Sequence, residues 1–162
     1  MTRVVDDRPR VAELLGREPR GEFVVVVRRA DGDPAVLRNE PLLDDGTPMP
    51  TTFWLCDPAL RSAIGTVESS GGIDLVEAEL GLDVLDVVHA AYAADRDQLV
   101  PDGHDGPVPS GGVGGTRRGV KCLHAHYANW LAGADDPVGA WTHDRLVESG
   151  LLPADAPERV ER

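Results

Sequence analysis

The first third of the chain alternates short apolar runs with turn residues, a pattern typical of a small β-sheet. Residues 23–27 form a β-branched run that is too short for a buried helix, and residues 35–38 follow it across the turn-forming residues 31–34. A third run of aromatic and β-branched residues covers positions 51–56. These runs predict a β-hairpin followed by a third strand.

The rest of the chain repeats apolar residues at intervals of three and four, which predicts α-helices. The clearest such patterns cover residues 58–69, 73–80, 82–98 and 136–148. A short opening helix is expected over residues 8–17, and a further helix is expected to carry Cys122 and to end near Gly133. Three aspartates stand where a side-chain oxygen would cap a helix start, namely Asp7, Asp57 and Asp136.

This order of elements predicts an α+β fold, in which a small antiparallel sheet from the N-terminal third is covered on one face by helices from the remainder. The length is ordinary for one domain, so residues 1–162 are expected to form a single domain. Residues 101–117 are mostly glycine, proline, aspartate and serine, which predicts a flexible loop, and residues 153–162 are expected to form a loose tail.

Charge and composition narrow the classes of partner. The formal net charge of -12 disfavours binding to nucleic acid. The sequence has no apolar run of about 18 residues and no basic start followed by an apolar segment, so we expect neither a membrane span nor a signal peptide, and we expect a cytoplasmic protein. In such a compartment the two cysteines are expected to be free thiols.

A glycine-rich loop followed by cationic side chains is the candidate binding site. Residues 111–115 contain four glycines, and three cations follow within six positions. Backbone N–H groups in such a loop and at the next helix start favour an anion, so we expect a pocket for a small phosphate or carboxylate. The expected ligand-binding residues are Gly114, Gly115, Arg117, Arg118, Lys121 and Asn129.

A thiol and an imidazole on the expected helix are the candidate catalytic groups. At about 100° per residue, Cys122 and His126 fall on one helix face together with Arg118 and Asn129. His124 would point about 160° away from His126. We therefore expect Cys122 to act as a nucleophile, with its thiolate favoured by nearby cations, and His126 to transfer its proton.

Two alternatives to the anion pocket stay open, and the sequence does not decide whether the protein is an enzyme. In the first alternative, Cys56 from the end of the third strand joins Cys122 and His126 in a metal site, with zinc as the possible cofactor. In the second, Cys122 and His126 are packed in the interior, and the protein is a non-enzymatic interaction module whose protein partner is unknown.

Two longer stretches resemble the signature blocks of a known family. Residues 45–58 read DGTPMPTTFWLCDP and residues 118–128 read RGVKCLHAHYA. In this order, and followed by DPVG at residues 136–139, they resemble domain of unknown function family 501, a bacterial family whose blocks read close to DGTPFPTxYWLTCP and RGVKCLHAH. The resemblance covers nearly the whole chain and implies no particular reaction.

The chain departs from this family pattern in its cysteines. Asp57 stands where the pattern usually has a cysteine, with Cys56 one position earlier. Many relatives carry additional cysteines in the early hairpin, where this chain has Arg28, Arg29 and Ala30, so a metal centre built from them would be incomplete. Some relatives are labelled septum formation initiators from neighbouring genes, and a role related to cell division is therefore kept only with the interaction-module alternative.

Overall fold

The computed structural model describes residues 5–162 and places a three-stranded sheet and six α-helices in this range. The strands are β1 (Phe23–Arg28), β2 (Pro34–Asn39) and β3 (Phe53–Leu55). The helices are α1 (Arg8–Leu15), α2 (Pro58–Ser69), α3 (Gly72–Leu80), α4 (Leu82–Asp97), α5 (Leu123–Leu131) and α6 (Pro137–Glu148), with a short 3₁₀ helix at Val113–Gly115. The predicted α+β class is confirmed.

The sheet is antiparallel, and β2 lies between β1 and β3. Val25 pairs with Leu37 and Val27 pairs with Val36, so Val26 is an extra residue on β1. Such a bulge bends the strand and increases its twist. The central strand β2 is buried along most of its length because both of its faces are covered.

Helices cover both faces of the sheet: helices from the remainder of the chain pack on one face, as predicted, and α1 packs on the other. Val36 and Leu55 belong to the main core with residues of α2, α5 and α6. Leu37 and Cys56 pack on the opposite side against Val11 of α1. The apolar stripe of α1 needs a surface of its own to bury it, and the second face of the sheet supplies that surface.

The main core joins α2, α5 and α6 through fully buried leucines, one from each helix, namely Leu60, Leu123 and Leu146. Gly139 allows α6 to approach α5 closely, since a Cβ at this position would lie 2.6 Å from the carbonyl oxygen of His126. This approach fixes the orientation of α5, which carries several of the candidate site residues.

The long loop and the C-terminal tail are both held against helices. Arg96 of α4, which is 2% exposed, donates hydrogen bonds to the carbonyl oxygens of Pro50 and Gly111 and thereby anchors the loop that was predicted to be flexible. In the tail, Arg159 donates to the carbonyl oxygen of Trp130 at 2.8 Å. The segment predicted to be a loose tail therefore packs against the C-terminal end of α5.

Two of the three predicted helix caps are confirmed. Asp57 and Asp136 each accept hydrogen bonds from two backbone N–H groups of the helix that follows. Asp7 makes no such bond and instead pairs with Arg28 at 2.6 Å. Within residues 5–162, every helix is too short or too polar to serve as a membrane span.

Candidate functional site

One pocket of about 230 Å³ opens between β3, the end of α1, α2 and the segment that enters α5. Its polar lining consists of Arg17, Thr51, Arg61, Lys121, Cys122 and His124. Its apolar lining includes Leu15, Phe53, Trp54 and Leu55. We refer to this cavity as the Cys122 pocket, since it contains the thiol that the sequence marks as a candidate nucleophile.

Three cationic side chains from different parts of the chain reach the Cys122 pocket. The Arg17 guanidinium lies over the Trp54 ring at 5.2 Å from its centroid, Arg61 donates to a backbone carbonyl of α1 at 3.3 Å, and Lys121 Nζ donates to the Gly114 carbonyl at 3.2 Å. Among residues 5–162, none of these cations forms a salt bridge. No aspartate or glutamate in the described part of the chain lines the Cys122 pocket.

The imidazole of His124 is held from two sides by α2. Its Nδ1 lies 3.0 Å from Oε1 of Glu68, and its Nε2 lies 3.0 Å from the carbonyl oxygen of Arg61. Both partners accept, so both ring nitrogens carry a proton and the ring is cationic. The Cys122 sulfur beside the ring is the largest cause that raises the pKa of His124 to about 9, and the Arg61 carbonyl and the Glu68 charge add to it against the effect of burial.

Cys122 lies at the junction that enters α5. Its backbone is extended, with φ of -153° and ψ of 152°, and the helix begins at the next residue, Leu123. Glu68 Oε1 accepts a hydrogen bond from the Leu123 N–H at 2.7 Å. The Cys122 sulfur, a ring nitrogen of His124 and a carboxylate oxygen of Glu68 all lie within 4.8 Å of one another. A single carboxylate of α2 thus fixes the helix start and orients an imidazole beside the thiol.

The predicted pairing of Cys122 with His126 on one helix face is corrected by this geometry. Because α5 begins after Cys122 and Gly119 has a φ of +72°, neither Cys122 nor Arg118 continues the face of the helix. His126 is 0% exposed and does not line the Cys122 pocket. The imidazole grouped with the thiol is His124, which the helical projection had directed away.

His126 and Asn129 lie in the interior between α5 and α6, where both bind Asp136. The Asp136 carboxylate accepts from His126 Nδ1 at 2.9 Å and from Asn129 Nδ2 at 2.9 Å, in addition to capping α6. His126 Nε2 is buried and has no hydrogen-bond partner within the described part of the chain, while the ring of His89 lies 5.8 Å away between centroids. The sequence identified the capping role of Asp136 but not this buried network.

The predicted metal site of Cys56, Cys122 and His126 is not assembled. Cys56 is fully buried in the cluster that faces α1, where burial, followed by the charge of Asp57, raises the pKa of its thiol to about 12. In the part of the chain that the structure describes, the group with suitable spacing is instead Glu68, Cys122 and His124. Cationic neighbours and a histidine that donates through both nitrogens suit an anion better than a metal cation.

The remaining predicted binding residues divide between the pocket and its surroundings. Gly114 and Lys121 line the Cys122 pocket. Gly115 packs against Pro50, and a Cβ on this glycine would lie 3.2 Å from the proline Cγ. Arg117 and Arg118 are exposed and do not line the pocket. The glycine loop therefore contributes only Gly114 to the lining of the pocket, and the segment after the loop contributes Lys121.

Sequence reasoning missed Arg17, Arg61 and Glu68. Arg61 and Glu68 are seven residues apart on α2, which places them two turns apart on one helix face. The seven-residue spacing is visible in the sequence. No neighbouring residue, however, indicates that this face of α2 contacts the segment before α5. Arg17 follows the short helix α1 and has no feature in the sequence that separates it from an ordinary surface charge.

Comparison with known proteins identifies the family. A family model described as "Protein of unknown function (DUF501)" matches residues 25–144, from β1 into α6. No curated protein and no solved structure matches the chain. The matched region contains Cys122, His124, Arg61 and Lys121 of the Cys122 pocket, and also Glu68, which contacts His124. Because the match covers most of the chain, the protein belongs to the DUF501 family of proteins of unknown function.

Proposed function

We propose that the protein binds a small organic anion in the Cys122 pocket, with Arg17, Arg61 and Lys121 neutralising its charge. The observation that supports this proposal is the grouping of three cations that, among residues 5–162, have no carboxylate partner. The chain carries 28 acidic and 16 basic residues, so its net charge is negative. The charged side chains that line the Cys122 pocket, in contrast, are all cationic. An anion in the pocket relieves the mutual repulsion of these cations.

The lining also indicates which kind of anion fits. Guanidinium groups bind carboxylate and phosphate through paired hydrogen bonds, and a lysine ammonium adds a point charge. The apolar side chains of Leu15, Phe53 and Trp54 line the same pocket and accommodate carbon atoms. The proposed ligand is therefore a carboxylate or phosphate attached to a short apolar body.

We place this activity in the bacterial cytoplasm. Cys56 and Cys122 are both free thiols, as is usual for a protein in a reducing compartment. An accessible thiol that lines a binding pocket stays available for function only where oxidation to a disulfide is not favoured.

Isothermal titration calorimetry with succinate and with inorganic phosphate tests the proposal. The wild type is expected to bind at least one of these anions, with an affinity that falls as salt is raised. Removing one charge-assisted contact in Arg61→Gln or Lys121→Gln should weaken binding about 10-fold. Arg118→Gln is the matched control, since Arg118 is an exposed arginine close to Lys121 in the chain but does not line the pocket.

Two outcomes would overturn the proposal. The first is a wild-type protein that binds neither succinate nor phosphate. The second is an equal loss of affinity in Arg118→Gln and Arg61→Gln, which would show that the exposed turn, and not the Cys122 pocket, holds the anion.

A further inference from the structure

We infer that Cys122 is the nucleophile of an acyl-transfer reaction on esters or thioesters that carry an anionic group, with His124 as the proton-transfer residue and Glu68 as the residue that positions it. The inference rests on the proposed function, since the cations of the same pocket must hold the anionic end of the substrate.

The geometry supplies the parts that a thiol nucleophile requires. Cys122 lines the pocket and is only partly buried, so its sulfur is open to a bound molecule. His124 and Glu68 each bring a polar atom within 4.8 Å of the other two members of the group. A nucleophile beside an imidazole that a third group orients is the arrangement by which thiols are activated in enzymes.

The position of the imidazole is tightly determined. Glu68 Oε1 accepts from both the Leu123 N–H at 2.7 Å and Nδ1 of His124 at 3.0 Å, so the carboxylate cannot turn away without releasing the start of α5. The Arg61 carbonyl holds the other ring nitrogen at 3.0 Å. Arg17, Arg61 and Lys121 line the same pocket as the thiol, and Glu68 is the carboxylate grouped with it.

The lining favours an acyl substrate. The apolar side chains of Phe53 and Trp54 line the same pocket as Cys122 and fit the carbon chain of an acyl group.

The reaction balances without an oxidant or reductant. The Cys122 thiolate attacks the carbonyl carbon and forms a C–S bond, while the bond from that carbon to the leaving oxygen or sulfur breaks with its electron pair. The leaving atom takes a proton from the His124 imidazolium. Water then attacks the thioester carbon, returns a proton to His124 and releases the acid and the Cys122 thiolate. One ester or thioester and one water yield one acid and one alcohol or thiol.

Rapid mixing with mono-4-nitrophenyl succinate tests the inference, because this ester carries both a carboxylate and an activated acyl group. The wild type is expected to release a burst of about one 4-nitrophenolate per chain and to carry a succinyl group on the peptide that contains Cys122. Cys122→Ser should lose both the burst and the adduct. His104→Gln, which removes a half-buried histidine that does not line the pocket, is the control and should retain them.

The roles of His124 and Glu68 are tested by measuring the burst rate separately from the ester concentration that gives half of the maximal rate. His124→Gln should slow the burst about 100-fold, the typical contribution of a proton-transfer residue. Glu68→Gln should lower the burst rate while the ester concentration at half-maximal rate stays unchanged, and Glu68→Asp should restore part of the rate. A fall in the folded fraction by circular dichroism with an unchanged burst rate per folded chain would overturn the positioning role of Glu68.

An uncharged ester, 4-nitrophenyl acetate, separates failure of the inference from failure of the proposed function. A succinyl ester that acylates Cys122 at least 10-fold faster than the acetate, with this preference reduced in Arg61→Gln, supports both. Equal rates for the two esters would overturn the anionic substrate class and the proposed function. Calorimetric binding of succinate without acylation of Cys122, or with acylation only at Cys56 or at Lys121, would overturn the inference alone.

Discussion

The carboxylate of Glu68 lies 3.0 Å from Nδ1 of His124 and thereby joins α2 to α5 across 56 positions of the chain. The same oxygen accepts from the N–H of Leu123, so this one side chain stabilises the first turn of α5 and holds the imidazole beside Cys122. Stability of the fold and geometry of the pocket are therefore coupled at this contact.

The contacts of His124 with Cys122, the Arg61 carbonyl and Glu68 predict a pH-dependent contribution of this histidine to stability. The folded-state pKa is about 9, above the ordinary 6.5, so the contribution is complete below pH 6.5 and is lost as the pH rises through 9. For a side chain that is 29% exposed, we expect a loss on the order of 1–2 kcal/mol after solvent screening. Urea unfolding at pH 6 and pH 9.5 measures it, with His124→Gln reducing the difference. If the difference in unfolding free energy between the two pH values were the same in His124→Gln as in the wild type, His124 would not be the group responsible.

Substituting Gly139 should destabilise the packing of α5 against α6. A Cβ at this position would collide with Trp130 and lie 2.6 Å from the carbonyl oxygen of His126. We expect Gly139→Ala to lower the free energy of unfolding by about 1–3 kcal/mol through overpacking. Gly65→Ala, in the interior of α2 with open space around the new methyl group, is the control and should raise it by up to about 1 kcal/mol. Equal effects of the two substitutions in chemical unfolding would argue against close packing at Gly139.

Asp136 should contribute more to stability than its neighbour Asp135. Its carboxylate caps α6 and binds the buried side chains of His126 and Asn129. Asp136→Ala removes the cap and leaves these buried donors without their acceptor, so we expect a loss of about 2–4 kcal/mol in urea unfolding. Asp135→Ala, at an exposed position, should change stability by less than about 0.5 kcal/mol. A loss of similar size at both positions would contradict the role assigned to the buried network.

The two thiols should differ sharply in reactivity. Cys56 is fully buried, and burial raises its pKa to about 12, so in the folded protein it should resist iodoacetamide at pH 7.5. Cys122 lines the pocket and should be alkylated, and both should react in urea. Mass spectrometry of the digested protein distinguishes the two sites. Alkylation of Cys56 before Cys122 under native conditions would contradict the placement of both residues.

Local sequence patterns predicted most of the elements, because each depends on neighbouring residues. The β-branched run at 23–27 forms β1, and the prolines and aspartates at the starts of α2 and α6 act as the sequence indicates. The sequence did not predict where α1 packs, because periodicity shows that a helix has an apolar face but not which surface covers that face.

The sequence singled out a segment that lines a pocket, but not the residues that this segment contacts. The segment around Lys121 and Cys122 does line a pocket, yet the helical projection extended the helix through Gly119 and therefore selected His126 instead of His124. The polar partners that determine the site, Arg61 and Glu68, come from α2 and meet Cys122 only through tertiary packing. A single sequence contains no local signal for such a contact.

Binding of an anion in the Cys122 pocket is tested most directly by ¹H–¹⁵N correlation spectra recorded while succinate is added to the protein. We expect saturable shifts that are largest at the backbone amides of Arg61, Gly114, Lys121 and Cys122, which line the pocket. Shifts confined to the exposed residues Arg117 and Arg118, or spectra that do not change up to high succinate concentration, would contradict an anion site in this pocket.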